Sequence, residues 1–187
     1  MPPTDKHIEP NDLPAFLANR RELKRVERSN AGKVLRRFAK GIAPSGYRRK
    51  STFFSREAGP LIQFLHVHKF SFGPKFRMHV CFRVLNESQS FVALQGIVSD
   101  DFASYHQSLS FEDREASIIS CAERMTAFIF EVAEPWFATW QEEALLGSDS
   151  PLYQDAQEAL AKARSGKCDP VNANRSRALL GLPIHTY

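Results

Sequence analysis

Residues 76–84 alternate without a break. Phe76, Met78, Val80, Phe82 and Val84 hold the even positions, and Arg77, His79, Cys81 and Arg83 the odd ones. A period of two sends successive side chains to opposite faces of a strand, which a helix cannot do. Residues 61–70 sort in the same way, with Leu61, Leu65 and Val67 on one side and Ile62, Phe64, His66, His68 and Phe70 on the other. Gly73-Pro74 between the two runs marks a hairpin. If Gly73-Pro74 alone is the loop, Phe72 pairs with Lys75, His68 faces His79 and His66 faces Cys81. A four-residue loop of Ser71 to Pro74 keeps the same parity. Either loop joins Leu65 and Val67 to Met78 and Val80 in one apolar layer, whereas a one-residue slip scatters the polar set.

Two further strands frame this pair. Ser51 to Arg56 is bounded by Gly59-Pro60, and Ser90 to Val98 follows the Asn86–Gln89 turn. Short links between consecutive strands predict a four-stranded antiparallel meander. Helical spacing lies on both sides of it. Asn11 or Asp12 can cap a first helix, with Pro14 in its first turn and Ala15, Phe16, Leu23 and Val26 as its stripe, ending near Arg28. Ser29 or Asn30 can cap a second, with Val34, Leu35, Phe38 and Ile42 on its apolar face, stopped by Pro44, Ser45 and Gly46. From Ser110, which can cap, Ile118, Ala122, Met125, Ile129 and Val132 recur at helical spacing until Pro135 breaks or kinks the run. Trp136, Phe137, Trp140, Leu145 and Leu146 continue an apolar face to Gly147. Pro151 opens a helix to about Arg164, and a last one covers Val171 to Leu180. Segregated elements of this kind mean an α+β fold, with the C-terminal helices packed on one sheet face. The 187 residues suit one main domain, 29–187, preceded by a helical extension, 1–28.

Three stretches carry a family resemblance. Val34-Leu35-Arg36-Arg37-Phe38 through Pro44-Ser45-Gly46-Tyr47-Arg48-Arg49-Lys50 reads as a helix followed by a proline and a Gly-aromatic-basic turn. Thr52-Phe53-Phe54-Ser55-Arg56 reads as a first strand. Leu65-His66-Val67-His68-Lys69, with Phe76-Arg77-Met78-His79-Val80, reads as the next two. Over about Ala31 to Asn86, a third of the chain, this resembles bacterial domain-of-unknown-function family 4304. That family often has Asn or Gln where this chain has His66, His68 and His79. The resemblance implies the fold and brings no activity with it.

Composition narrows the function classes. No window reaches the roughly 18 apolar residues of a membrane span, and Met1 to Pro14 has no apolar signal-peptide core. Cys81, Cys121 and Cys168 are odd in number and form no CxxC, so free thiols and a cytoplasmic setting are expected. The net charge of +4 is uneven: residues 20–50 carry 12 Lys or Arg against Glu22 and Glu27. Those cations could meet nucleic-acid phosphates through Arg36, Arg37, Lys40, Arg48, Arg49 and Lys50, with Phe53, Phe54, Phe64 and Phe70 for base stacking. They equally suit the solvated faces of two helices.

The hairpin parity gathers His66, His68, His79 and Cys81 on one face. Imidazole and thiolate are zinc ligands, but Arg77 and Arg83 share that face and oppose a cation, and no carboxylate is there to orient the imidazoles. Cys121, with Arg124 one turn on and His106 upstream, has the residues of a nucleophile, yet sits in a core stripe between Ile118 and Met125. Trp136, Phe137 and Trp140 read as core packing. The reading that these residues favour is a non-enzymatic binding module. In it His66, His68, Arg77, His79 and Arg83 contact an acidic protein or an anionic ligand. Nucleic-acid binding through 20–50 stands second, and a small metal-dependent enzyme on His66, His68, His79 and Cys81 third. No cofactor, membrane contact or catalytic residue is expected.

Overall fold

A computed structural model describes residues 13–106 and 108–186. It begins with a single helix, α1 (Leu13–Ile42), where two were expected. Asn30 does not cap a second helix. It is 3% exposed, and its amide donates to Asp113 Oδ1 at 2.7 Å, so a tertiary partner satisfies the group that would otherwise have competed for the backbone. Asn11 and Asp12, the other expected caps, and the side chains of Ala15 and Phe16 lie outside what is described. The helix therefore runs across the boundary drawn at residue 28. Its first half is largely exposed, and Ala31, Val34, Leu35, Phe38 and Ile42 bury its second half.

Among the described residues five strands form one antiparallel sheet in chain order: β1 (Arg48–Lys50), β2 (Phe53–Ala58), β3 (Leu61–Lys69), β4 (Phe76–Val84) and β5 (Gly96–Val98). The meander is as read from the sequence, with β1 added. The expected fourth strand, Ser90 to Val98, is cut to three residues. Ahead of it, the carbonyls of Gln89 and Phe91 accept 2.7 Å hydrogen bonds from the buried Arg83 guanidinium and so turn away from a ladder. Gly96 has φ 150° and lies where an added Cβ would stand 2.0 Å from the Val80 carbonyl oxygen, so only glycine lets β5 approach β4 here.

The first sheet face carries the main core. Leu65, Val67, Met78, Val80 and Val84 are fully buried with Phe76 and Phe82. They pack with α1 and α2 (Glu115–Phe128) through Val34, Phe38, Ile118, Met125 and Phe128. α2 starts later than Ser110, which instead bridges to Lys75. The run then widens into a π-helical turn (Ile129–Ala133) before α3 (Glu134–Thr139). Helical structure thus continues past Pro135, which falls in the first turn of α3 directly after the wider turn, where its missing N–H is least costly. Short α4 (Glu142–Leu145), α5 (Gln154–Arg164) and α6 (Pro170–Leu180) complete the chain.

The expectation of helices on one face is corrected by α6. It packs on the second face, where Ala173, Leu180 and Leu182 bury Ile62, Phe64 and Cys81. The reason is in β3 itself: the row that ends in His66 and His68 begins with Ile62 and Phe64, whose burial stabilises by roughly 1.5–3 kcal/mol each. Ser55 Oγ donates to the Leu180 carbonyl at 2.6 Å, Lys50 Nζ to that of Ala178 at 2.6 Å, and Arg177 pairs with Glu57. These contacts fix where the cover stops.

Candidate functional site

The part of the second face beyond α6 holds the histidines. The register sets Phe70 opposite Lys75 and Lys69 opposite Phe76, so the loop is the four-residue Ser71–Pro74, with Gly73 at φ 91°. This is the longer of the two loops that the sequence allowed; parity is the same, and relative to the two-residue loop the pairs shift by two residues. His66 faces His79, His68 faces Arg77, and Phe64, not His66, faces Cys81. One cross-strand row then runs through all five strands: Lys50, Phe53, His66, His79, Val98. Its rings adjoin. Phe53 lies 4.7 Å from His66 and His66 lies 5.8 Å from His79, each pair at 33°. His68, exposed, is 6.4 Å from His66 and meets Phe70 edge-on at 5.4 Å.

Charge on this face is lower than the sequence suggested. Arg77 donates twice to Asp100 Oδ2, at 2.7 and 3.0 Å, and its guanidinium lies 5.0 Å from the Phe70 ring. Asp100 therefore corrects the expectation that no carboxylate would be present. Extending the His79↔Val98 register by two residues puts Asp100 opposite Arg77, so the pairing of β4 with its successor was the available signal. Arg83 leaves the surface altogether. It is 2% exposed, between Ser176 Oγ, the carbonyls of Gln89 and Phe91, and Glu87. Its contacts are those of a structural residue that ties α6 and the 89–91 loop to β4.

Burial, then the His79 and His68 imidazoles, hold His66 below the ordinary histidine range. Burial also lowers His79, helped by Arg77 and His68 and opposed by Asp100 and Asp101. Both rings are therefore neutral at pH 7, donors and acceptors rather than cations. Nδ1 of His66 is buried and has no hydrogen-bond partner.

The metal set does not assemble. Cys81 is 1% exposed beside Phe64, its thiol pushed up to about 12 by burial. Among the described residues no group of three or more His, Cys, Asp or Glu side chains is placed to hold a metal ion. Cys121 is likewise core, pushed up to about 12 by burial, and Arg124 donates to the Ser104 carbonyl. Phe137 is buried, and Trp136 packs 5.1 Å from Phe82. The basic segment is not one surface: Arg37 pairs with Glu115, Lys50 caps the end of α6, and Arg49 donates to the Ser51 carbonyl. Arg36, Lys40 and Arg48 are exposed, with no ion pair among the described residues. No described helix is long and apolar enough to cross a membrane.

Comparison with protein-family models, curated proteins and solved structures finds no match for this chain.

Proposed function

We propose that this protein is a non-enzymatic binding module whose contact surface is the uncovered part of the second sheet face, and that the group it receives is anionic. The observation that carries the reading is the gathering of His66, His68 and His79 on a face that α6 covers only in part, with His66 Nδ1 unpartnered. Neutral imidazoles offer N–H donors to a carboxylate or phosphate at pH 7. An anion held there also favours their protonated forms, so its affinity rises as pH falls. A metal ion has the opposite sign, because protons compete for the ring nitrogens. Arg77 contributes only as far as an incoming anion displaces Asp100, which points to modest affinity and to a partner that presents several acidic groups.

The test is a titration with hexaglutamate peptide, followed through the histidine ring proton resonances by NMR between about pH 7.5 and 5.5. Saturable shifts at His66, His68 and His79, tightening severalfold toward low pH, are expected. They should be lost in the His66→Ala, His68→Ala variant. Identical profiles for the wild type and that variant would remove this face as a binding surface.

A further inference from the structure

A second feature of the same hairpin lies outside that face. Where the β3–β4 loop meets α1, a recess of about 240 Å³ is lined by Lys24, Glu27, Arg28, Lys69 and Ser71. Three cations stand against one carboxylate, and that carboxylate is committed: Lys69 donates to Glu27. Lys24 and Arg28, one helical turn apart, are exposed and have no ion pair among the described residues. At about 30 Å³ per water, the recess has room for a tetrahedral oxyanion with part of its hydration shell. Next to Ser71 stands Phe72, 94% exposed at the loop tip. An aromatic ring so exposed adds almost nothing to folding, because it removes no apolar surface from water. Across the tip come Phe70, with Lys75 Nζ 5.3 Å from its ring, and exposed His68.

We propose that the β3–β4 hairpin tip binds single-stranded nucleic acid. One phosphate sits in the recess at Lys24 and Arg28, a base stacks on Phe72, and the strand continues toward His68. This rests on the reading of the uncovered face only for the strand's onward course. The ligand class follows from the chemistry in sequence around the tip: a cationic recess, a free ring face, then a row of further rings. A polyanion with an exposed π-face at each repeat matches that order. Base pairing hides those faces in a duplex. An anionic bilayer matches the cations, but its hold scales with the apolar area inserted, and one ring is little.

The experiment is fluorescence anisotropy with the full chain and labelled 15-nucleotide oligo-dT and oligo-rU, in about 50 and 200 mM salt. One phosphate contact, at a slope near −0.7 for single strands, predicts roughly a 2.5-fold loss of affinity over that range. Lys24→Glu with Arg28→Glu should flatten the salt dependence. Phe72→Ala should weaken binding about tenfold and leave the salt slope intact, because stacking carries no counterion term. Both variants should unfold at the wild-type temperature, since the altered groups are exposed. No binding at 50 mM, or a Phe72→Ala variant that binds like the wild type, overturns the inference. So does retention on phosphatidylserine vesicles without oligonucleotide binding. If the oligonucleotide fails while hexaglutamate still shifts His66 and His68, this inference alone falls. If the oligonucleotide binds as predicted and no anion reaches those histidines, the reading of the sheet face falls and the tip stands.

Discussion

Arg83→Met separates support from contact. The guanidinium is 2% exposed and Glu87 3%. Arg83 donates to Ser176 Oγ at 2.9 Å and to the Phe91 and Gln89 carbonyls at 2.7 Å each, with Glu87 Oε2 3.4 Å away. Glu87 in turn accepts from the Val84 N–H and from the Tyr153 hydroxyl, both at 2.8 Å. Removing the cation leaves a buried carboxylate without its counter-charge and two carbonyls and a hydroxyl without their donor. Breaking a buried pair from one side costs about 3–5 kcal/mol. In a chain of this size each kcal/mol is worth roughly 2–4 °C, so a fall in melting temperature of about 6–20 °C is expected. Urea unfolding followed by circular dichroism measures the free energy directly. Arg83→Met with Glu87→Gln should recover part of the loss, because no buried charge is then stranded and the Gln carbonyl still accepts one hydrogen bond. Folded Arg83→Met protein should bind hexaglutamate as the wild type does. A single-variant loss under about 1 kcal/mol, or a double variant no better than the single, refutes the network account. Weakened hexaglutamate binding would return Arg83 to the contact surface.

Three further outcomes follow from the same geometry. Because burial lowers His66 and His79 in the folded state, the unfolded chain takes up their protons first. Stability should therefore be full above the ordinary histidine value of about 6.5 and fall as pH drops toward the folded values; His66→Phe with His79→Phe should flatten that fall in urea midpoints measured across it. Gly96→Ala places a Cβ 2.0 Å from the Val80 carbonyl oxygen at φ 150°; it should release β5, seen as fast amide exchange at the paired Val80 and Ile97, and cost on the order of 2 kcal/mol. Cys81 and Cys121, both buried with thiols near 12, should resist a disulfide reagent at about pH 8 while exposed Cys168 reacts. One thiol should then titrate in the native protein and three in denaturant.

What the sequence revealed depended on how far a single physical rule reached. Alternation along β4 and β3 determined which side chains share a face, since a slip of one residue would have exposed Met78 and Val80. Alternation cannot tell a slip of two, because the same residues stay buried. That choice fell to the loop, where Phe70 and Lys75 close a four-residue turn, and it decided that His66 meets His79 rather than Cys81. The merging of two helices at Ser29-Asn30 was beyond local reasoning for a different cause. Capping preference describes a side chain with only its own backbone for a partner, and Asn30 has Asp113, 83 positions away.

Arg83 shows the same limit acting on the candidate site. An arginine in the outward row of an alternating strand reads as solvent-facing, and nothing nearby contradicts it except Glu87 four residues on. The groups that make it internal, Ser176 of α6 and, through Glu87, Tyr153 just ahead of α5, arrive from far along the chain. The row was in fact graded rather than uniform. Ile62, Phe64 and Cys81 lie toward one end, and His66, His68 and His79 toward the other. An apolar-to-polar gradient along one face is what a partial cover requires, and α6 ends where the gradient turns, with Leu180 held by Ser55. The open imidazole surface is thus a consequence of where apolar residues run out on β3.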